Sequence, residues 1–193
     1  MVKVQEVSAQ NPLESLTDVG FSVDSGELVA VIGSNNSGKH LLGQVIAGHR
    51  PVQKGSVTIS HYQLQANPIR ARSQLGYLAN PVVLEKFLTG FEYLDLVAAT
   101  YRLSPKVRLE RIKELQDRLG FAADAYTSIE RIATSIRQKI GLAAAIIHQP
   151  SLLILDEPLQ YLDHSGQLSA WQAIKAEQKN GSAIILITDD LAL

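Results

Sequence analysis

A glycine-rich segment near the N-terminus contains the residue types that bind phosphate. It follows the apolar run 28–32 and precedes residues 39–47, whose apolar side chains have helical spacing. The backbone N–H groups of such a loop and the N-terminus of the following helix attract phosphate, and Lys39 adds a positive charge. A GxxxxGK pattern between a strand and a helix therefore predicts a phosphate-binding loop. The candidate binding residues are Gly33, Ser34, Asn35, Asn36, Ser37, Gly38, Lys39, His40 and Leu41.

The residue after Lys39 is unusual for a loop of this kind. A serine or threonine there would give a hydroxyl oxygen to Mg²⁺, which prefers oxygen ligands in octahedral geometry. His40 offers nitrogen, which suits zinc better than magnesium. Alternatively, His40 is simply a residue in the first turn of the helix. In both interpretations Mg²⁺ loses a protein ligand.

Two adjacent carboxylates follow a second apolar run. Asp156 and Glu157 come at the end of residues 152–156 and just before Pro158. Near a phosphate, Asp156 could hold Mg²⁺ through water and Glu157 could polarise an attacking water molecule. The alternative is that these acids only mark the start of a helix.

The elements that would position these residues alternate along the chain. Residues 2–7 and 16–23 have the polar–apolar alternation of strands, and residues 82–135 have helical spacing, with a capping box at Thr89 and Glu92. Ser104 and Gly120 are start and stop signals of a further helix in that block. The remaining predicted elements are strands at 56–60, 75–78, 152–156 and 183–187 and helices at 136–148 and 164–179.

Helices alternating with apolar strands predict an α/β fold with a mainly parallel sheet flanked by helices. The run 28–32 is predicted to be buried on both faces. We expect a single domain over 1–193, with an α/β core (1–81 and 136–193), N-terminal antiparallel strands and an inserted helical subdomain (82–135).

Composition excludes several classes of function. The chain has 193 residues, with 18 lysines and arginines against 19 aspartates and glutamates, so bulk charge gives no affinity for nucleic acid. It has no cysteine, which excludes disulfides and thiolate metal sites. No secretory signal is visible, and the longest stretch without charged residues, 140–155, is too short to span a bilayer.

Together, these motifs resemble the nucleotide-binding subunits of the ABC transporter superfamily, which have a P-loop NTPase core. Residues 28–40, 75–80, 137–163 and 183–190 follow that family's order and spacing. Residues 87–94 resemble the start of the helical subdomain in subunits that drive drug or lipid exporters. The resemblance implies ATP and weakly held Mg²⁺ as cofactors, Glu157 as the catalytic residue, and Asp156 and Asn80 as metal ligands.

The sequence departs from the family pattern around the nucleotide. The family stacks adenine on an aromatic residue, but residues 8–15 contain none and Gln10 lies nearest that position. Stacking contributes about 1–3 kcal/mol per base, so weaker binding is expected. Asn80 replaces the family's glutamine and is one methylene shorter; alternatively, Asn80-Pro81 is only a turn.

Two further departures concern the γ-phosphate. The family's signature loop aligns with residues 132–136, where Ala133 has no hydroxyl and both glycines are missing; Ser135 and Gln138 are expected to form a capping box instead. Asp189 replaces the family's switch histidine, and a carboxylate repels a phosphate that an imidazole would bind. Alternatively, Asp189 is a solvated loop acid.

The resemblance implies an ATP-binding subunit, cytoplasmic and peripheral on the inner face of the membrane, that works with a transmembrane permease and a second, different ABC ATPase chain. The departures predict an impaired catalytic cycle. A non-hydrolysing regulatory or structural subunit is the alternative. An ABC-type protein of ribosomes or DNA is disfavoured by the charge, and a P-loop kinase by the long helical block before Asp156.

Overall fold

A computed structural model describes residues 1–189 of the chain, in two units. The first unit comprises residues 1–79, 150–157 and 178–189, and the second comprises residues 80–149 and 158–177. Asp190, the last residue of the segment 183–190 compared above, lies outside the described residues. The elements are β1 (Val2–Gln10), β2 (Ser15–Val23), β3 (Leu28–Ile32), α1 (Lys39–Ile46), β4 (Lys54–Ile59), β5 (Tyr62–Gln63), α2 (Pro68–Arg72), β6 (Leu75–Leu78), α3 (Gly90–Thr100), α4 (Pro105–Leu119), α5 (Thr134–Ile146), β7 (Leu152–Asp156), α6 (His164–Lys179) and β8 (Ala183–Thr188).

Two four-stranded sheets form the first unit. The antiparallel sheet has the order β2-β1-β4-β5, and the parallel sheet has the order β3-β8-β7-β6. The expected α/β fold, with a parallel sheet and N-terminal antiparallel strands, is therefore confirmed. β5 and α2 were not predicted, because elements of 2 and 5 residues are too short to show a periodic pattern.

Residues 28–32 form the predicted strand, β3, but the prediction that this strand is buried on both faces is wrong. β3 pairs with β8 alone among the described residues and is half-buried, with Ile32 48% exposed. The fully buried strands are β7 and β8, each of which has a neighbour on both sides. An apolar run favours a strand, but its place in the sheet depends on pairing with distant segments.

Helix α1 packs unusually close to the parallel sheet. A Cβ atom added at Gly43 would lie 2.6 Å from Ile187 Cδ1 and 3.7 Å from Ile154 Cγ2. Glycine at this position therefore lets α1 approach β7 and β8 closely. Because β3, β7 and β8 are parallel, their carboxyl ends meet at one edge, where the loop between β3 and α1 lies.

Helices form the second unit, and two of the predicted helix starts are confirmed. Thr89 Oγ1 accepts from the N–H of Glu92 at 3.2 Å, and the N–H of Thr89 donates to Glu92 Oε2 at 2.9 Å, which is the expected capping box. Ser104 caps α4, and Gly120 ends it in a left-handed conformation.

The start of α5 differs from the prediction. The helix begins at Thr134 with Ala133 as its N-cap, and no side chain caps it. The expected capping box of Ser135 and Gln138 is therefore wrong. Gln138 is buried instead, and its Nε2 donates to the carbonyl of Pro158 at 3.1 Å, so a tertiary contact takes precedence over the local motif.

A buried carboxylate lies near the end of α6. Glu177 is 1% exposed, and neither carboxylate oxygen has a hydrogen-bond partner within the described residues. The nearest cation, Arg118, lies 3.9 Å away and also contacts Glu114 at 2.5 Å. Burial raises the pKa of Glu177 more than Arg111 and Arg118 lower it. Within residues 1–189, no helix is long and apolar enough to cross a membrane.

Glu177→Gln should stabilise the chain at neutral pH. Because the pKa of Glu177 is raised on folding, its charge destabilises the folded state above that pKa, and the penalty disappears below the unfolded pKa. We expect a gain of about 1 kcal/mol in the free energy of unfolding, or roughly 2–4 °C in Tm, at pH 7.5. The gain should shrink as the pH falls towards 4, as measured by thermal melting.

The matched control is Glu110→Gln, which removes an exposed glutamate from α4. It should leave Tm unchanged at both pH values. A Glu177→Gln variant that is less stable than wild type at pH 7.5 would show that the attraction of the arginines exceeds the cost of burial.

Candidate nucleotide-binding site

The loop between β3 and α1 is shaped by its own turn and by Gly38. The N–H of Ser37 donates to the carbonyl of Ser34 at 3.2 Å. Gly38 has φ 91°, and a Cβ atom there would lie 2.9 Å from Leu16 Cδ2 and 3.0 Å from the carbonyl of Ser15. Both the conformation and the close packing therefore require glycine at the N-cap of α1.

The first turn of α1 supplies backbone donors. Lys39, His40 and Leu41 are its first three residues, and the N–H groups at these positions have no partner inside a helix. The side chain of Leu41 is fully buried in the hydrophobic core. Leu41 can therefore contact a phosphate only through its backbone, and the helix dipole favours an anion at this end.

A buried ion pair joins the loop to the end of β7. Lys39 Nζ lies 3.0 Å from Glu157 Oε1, and the two side chains are 1% and 12% exposed. The cation expected to bind phosphate and the carboxylate expected to polarise water are therefore each other's partner in this structure.

Glu157 is further held by the end of β8. Thr188 Oγ1 donates to Glu157 Oε2 at 3.1 Å, and the N–H of Asp189 donates to Oε1 at 2.9 Å. The N–H of Glu157 itself donates to the carbonyl of Ile187 at 2.9 Å, and its φ of 48° is unusual for a residue with a side chain. From Lys39, Thr188 and Asp189, the carboxylate thus accepts at least three hydrogen bonds, and the backbone of Glu157 is fixed by its own bond to β8.

A second pair joins His40 to Asp156. His40 Nδ1 lies 2.7 Å from Asp156 Oδ1. When Asp156 is ionised, its oxygen accepts this hydrogen bond and the ring N–H of His40 donates it. The Asp156 side chain is completely buried and that of His40 is 25% exposed. Burial raises the pKa of Asp156, and His40 partly offsets this effect. Burial also raises the pKa of Tyr77, and the negative charge of Asp156 adds to that shift.

These residues do not fit the weak Mg²⁺ site that was expected at Asp156. Position 40 offers nitrogen in place of a hydroxyl oxygen, and Asp156 Oδ1 is already bonded to the imidazole. Mg²⁺ usually takes one or two protein oxygens and completes its six ligands with water and phosphate. The remaining Asp156 oxygen, Oδ2, is fully enclosed and has no hydrogen-bond partner in the described part of the chain, so an ion cannot reach it without displacing protein atoms. Residues 1–189 contain no group of three histidine or carboxylate side chains that could hold a metal.

The structure brings together the loop, Asp156, Glu157 and Asp189 in the first unit. Asp189 contacts Glu157 through its backbone N–H, and the residue is exposed. Asn80 belongs to the second unit, as do residues 132–136, so their predicted relation to the nucleotide stays a prediction. Thr188 was not among the predicted site residues. Like Asp156, it is the last residue of an apolar strand, and this position could have pointed to it.

A polar groove of about 440 Å³ lies beside the phosphate loop. Asn11 shapes it, because its Oδ1 accepts from the N–H of Leu13 at 2.8 Å and from that of Glu14 at 2.7 Å. The groove is lined by Gln10, Asn11, Pro12, Leu13, Glu14, Ser15, Asn36 and Ser37, none of them aromatic.

The pair of Lys39 and Glu157 should be energetically coupled in the absence of ligand. We expect a coupling energy of roughly 1–3 kcal/mol in a double-mutant cycle of Lys39→Met and Glu157→Gln, because each single change leaves a buried partner uncompensated. Denaturant unfolding of the four chains measures it. If the changes in the free energy of unfolding of the two single variants sum to that of the double variant within about 0.5 kcal/mol, the two side chains do not interact.

Comparisons with known proteins agree with this geometry. The family model described as ABC transporter matches residues 16–160. The ABC transporter ATP-binding protein YdbJ of Bacillus subtilis is 32% identical over 174 residues, which are 90% of this chain and 56% of YdbJ. The linearmycin resistance ATP-binding protein LnrL of the same species is 26% identical and covers 86% of this chain and 54% of its own length.

The chain thus spans little more than half the length of these relatives. A solved structure of the ATP-binding subunit of an ABC transporter is 30% identical, with a TM-score of 0.92 over 99% of this chain and 80% of the other. With a family model that covers most of its length and a matching fold, the chain belongs to the ABC transporter family and is related to its ATP-binding subunits.

Proposed function

We propose that the chain is an ATP-binding subunit of an ABC transporter whose hydrolytic cycle is impaired. The observation that carries this proposal is the state of the Glu157 carboxylate, which accepts from Lys39, Thr188 and the N–H of Asp189. A general base must be free to accept a proton from water. Three donors on this carboxylate oppose that role.

Phosphate binding is the part of the function that this site supports best. The polyphosphate is bound by the N–H groups of residues 33–41, by the N-terminus of α1 and by Lys39. To reach a phosphate, Lys39 must leave or share its bond to Glu157, which weakens binding. Asp189 brings a negative charge to the site and no cation. Two negative unit charges, such as a carboxylate and a phosphate oxygen, repel by about 4 kcal/mol when they are 4 Å apart at an effective dielectric constant of roughly 20.

The start of α5 supports a partnership with a different subunit. Ala133, the N-cap, offers no hydroxyl, and Thr134 Oγ1 accepts from Arg137 Nη2 at 2.8 Å. We infer that this segment binds a partner's γ-phosphate poorly, so that two copies would form two poor sites. The proposed assembly pairs the chain with an intact ABC ATPase of another sequence and with a transmembrane permease, at the inner face of the membrane.

A second candidate function is that of a non-hydrolysing regulatory or structural subunit. The observation that favours it is that Lys39 is paired with Glu157 and His40 with Asp156, so protein groups satisfy the charges that a phosphate or a metal ion would meet. Nucleotide binding separates two forms of this alternative. A regulatory subunit binds ATP or ADP, whereas a purely structural subunit binds neither.

The purified chain should release phosphate from ATP at background rate. A general base usually contributes 10²–10⁴-fold, so Glu157→Gln should change the rate by less than about threefold if the base is not in use. Steady-state phosphate release by the two chains, prepared in parallel, measures this ratio.

Glu6→Gln, which removes an exposed glutamate from β1 of the same unit, is the control and should behave like wild type. Wild-type turnover that Glu157→Gln lowers by about 100-fold or more would show that Glu157 acts as the base, and the impaired-cycle proposal would be wrong.

The polar groove should give little selectivity between bases. We expect affinities for ATP and GTP within about threefold of each other in wild type, because hydrogen bonds to a solvated groove exchange with water. Gln10→Tyr should tighten both by about tenfold through stacking, which is tolerant of base identity. Equilibrium titration with both nucleotides measures the effect.

Gln5→Tyr, on an exposed position of the same strand, is the matched control and should change neither affinity. Strong preference of the wild type for ATP would mean that another group recognises adenine.

A further inference from the structure

His40 bonds to the Asp156 carboxylate, the group that a metal ion at this site would need as its ligand. Its Nδ1 bonds to Asp156 Oδ1 at 2.7 Å, and Asp156 is fully buried while His40 is partly exposed. Of the two side chains, the imidazole is therefore the one that solvent and a ligand can reach. A cation entering this position must first displace a hydrogen bond that compensates a buried carboxylate, and such bonds are costly to lose.

The neighbouring carboxylate offers no substitute ligand. Both oxygens of Glu157 already accept hydrogen bonds, Oε1 from Lys39 and Oε2 from Thr188. The loop can still bind phosphate without a metal. The first N–H groups of α1 point out of the helix end, and Lys39 contributes its charge once it shares or leaves its bond to Glu157.

We propose that this chain binds nucleoside polyphosphates without Mg²⁺, because His40 is hydrogen-bonded to Asp156, the carboxylate that would otherwise bind the ion. The inference rests on the proposed nucleotide binding and specifies the ligand: metal-free ATP or ADP. In this arrangement His40 is a positioning residue that keeps Asp156 bonded and leaves charge neutralisation to Lys39 and the helix end.

The test is a titration with ATP by calorimetry, at fixed pH and ionic strength, once with MgCl₂ and once with EDTA. The dissociation constants of wild type should agree within about twofold. In His40→Ser a hydroxyl replaces the ring and frees Asp156, so Mg²⁺ should tighten binding about tenfold, or roughly 1.4 kcal/mol. The comparison is made within each variant, so a general effect of the substitution cancels.

Two further variants test whether the effect of Mg²⁺ depends on His40 and Asp156 specifically. His61→Ser changes an exposed histidine of the same unit and should behave like wild type. Adding Asp156→Asn to His40→Ser should abolish the gain from Mg²⁺, because the freed carboxylate is lost. Melting curves establish that each variant is folded. If the double variant does not fold, the titrations of wild type and His40→Ser alone still show whether His40 keeps Mg²⁺ from Asp156.

The outcomes separate this inference from the proposed function. Equal affinity with and without Mg²⁺ in wild type, together with a gain in His40→Ser, supports it. Wild-type binding that Mg²⁺ tightens about tenfold overturns the inference and leaves nucleotide binding intact. A His40→Ser variant indifferent to Mg²⁺ overturns the role of His40. The absence of ATP binding under both conditions overturns the inference and the proposed function together.

Discussion

The ion pair of Lys39 with Glu157 links the loop between β3 and α1 to the end of β7. The bonds from the end of β8 to Glu157 add to this link. Lys39 is almost completely buried, and a buried ammonium is costly unless a carboxylate lies beside it. Glu157 in turn accepts from Thr188 and from the backbone of Asp189, so it is fixed by β8 as well as by the loop. A phosphate that enters this site competes with a protein carboxylate for the same cation.

The sheet order explains why these contacts form. β8 lies between β3 and β7, with Thr188 opposite Ile32 on one side and Ile187 opposite Asp156 on the other. The end of β8 therefore lies between the strand that leads into the phosphate loop and the strand that ends in the carboxylates. Gly43 lets α1 pack against these strands, so Lys39 and His40 start their helix within reach of Glu157 and Asp156.

The local parts of this site could be predicted from the sequence, and the pairing between them could not. Strand, glycine-rich loop and helix are adjacent in the chain, so residues 33–40 are identified by their order alone. The bonds of Lys39 to Glu157 and of His40 to Asp156 join residues 118 and 116 positions apart, and they depend on the strand order of the sheet. The expected capping box at Ser135 fails for a similar reason, since Gln138 bonds to Pro158, 20 positions away, and not to the helix end.

The most direct test of the central claim is a crystal structure of the chain grown with ATP and excess MgCl₂. We expect a nucleotide whose phosphates contact the loop and Lys39, with His40 Nδ1 still bonded to Asp156 and no metal ion between Asp156 and the phosphates. A metal ion held by Asp156 and the phosphate oxygens, with His40 turned away, would contradict it.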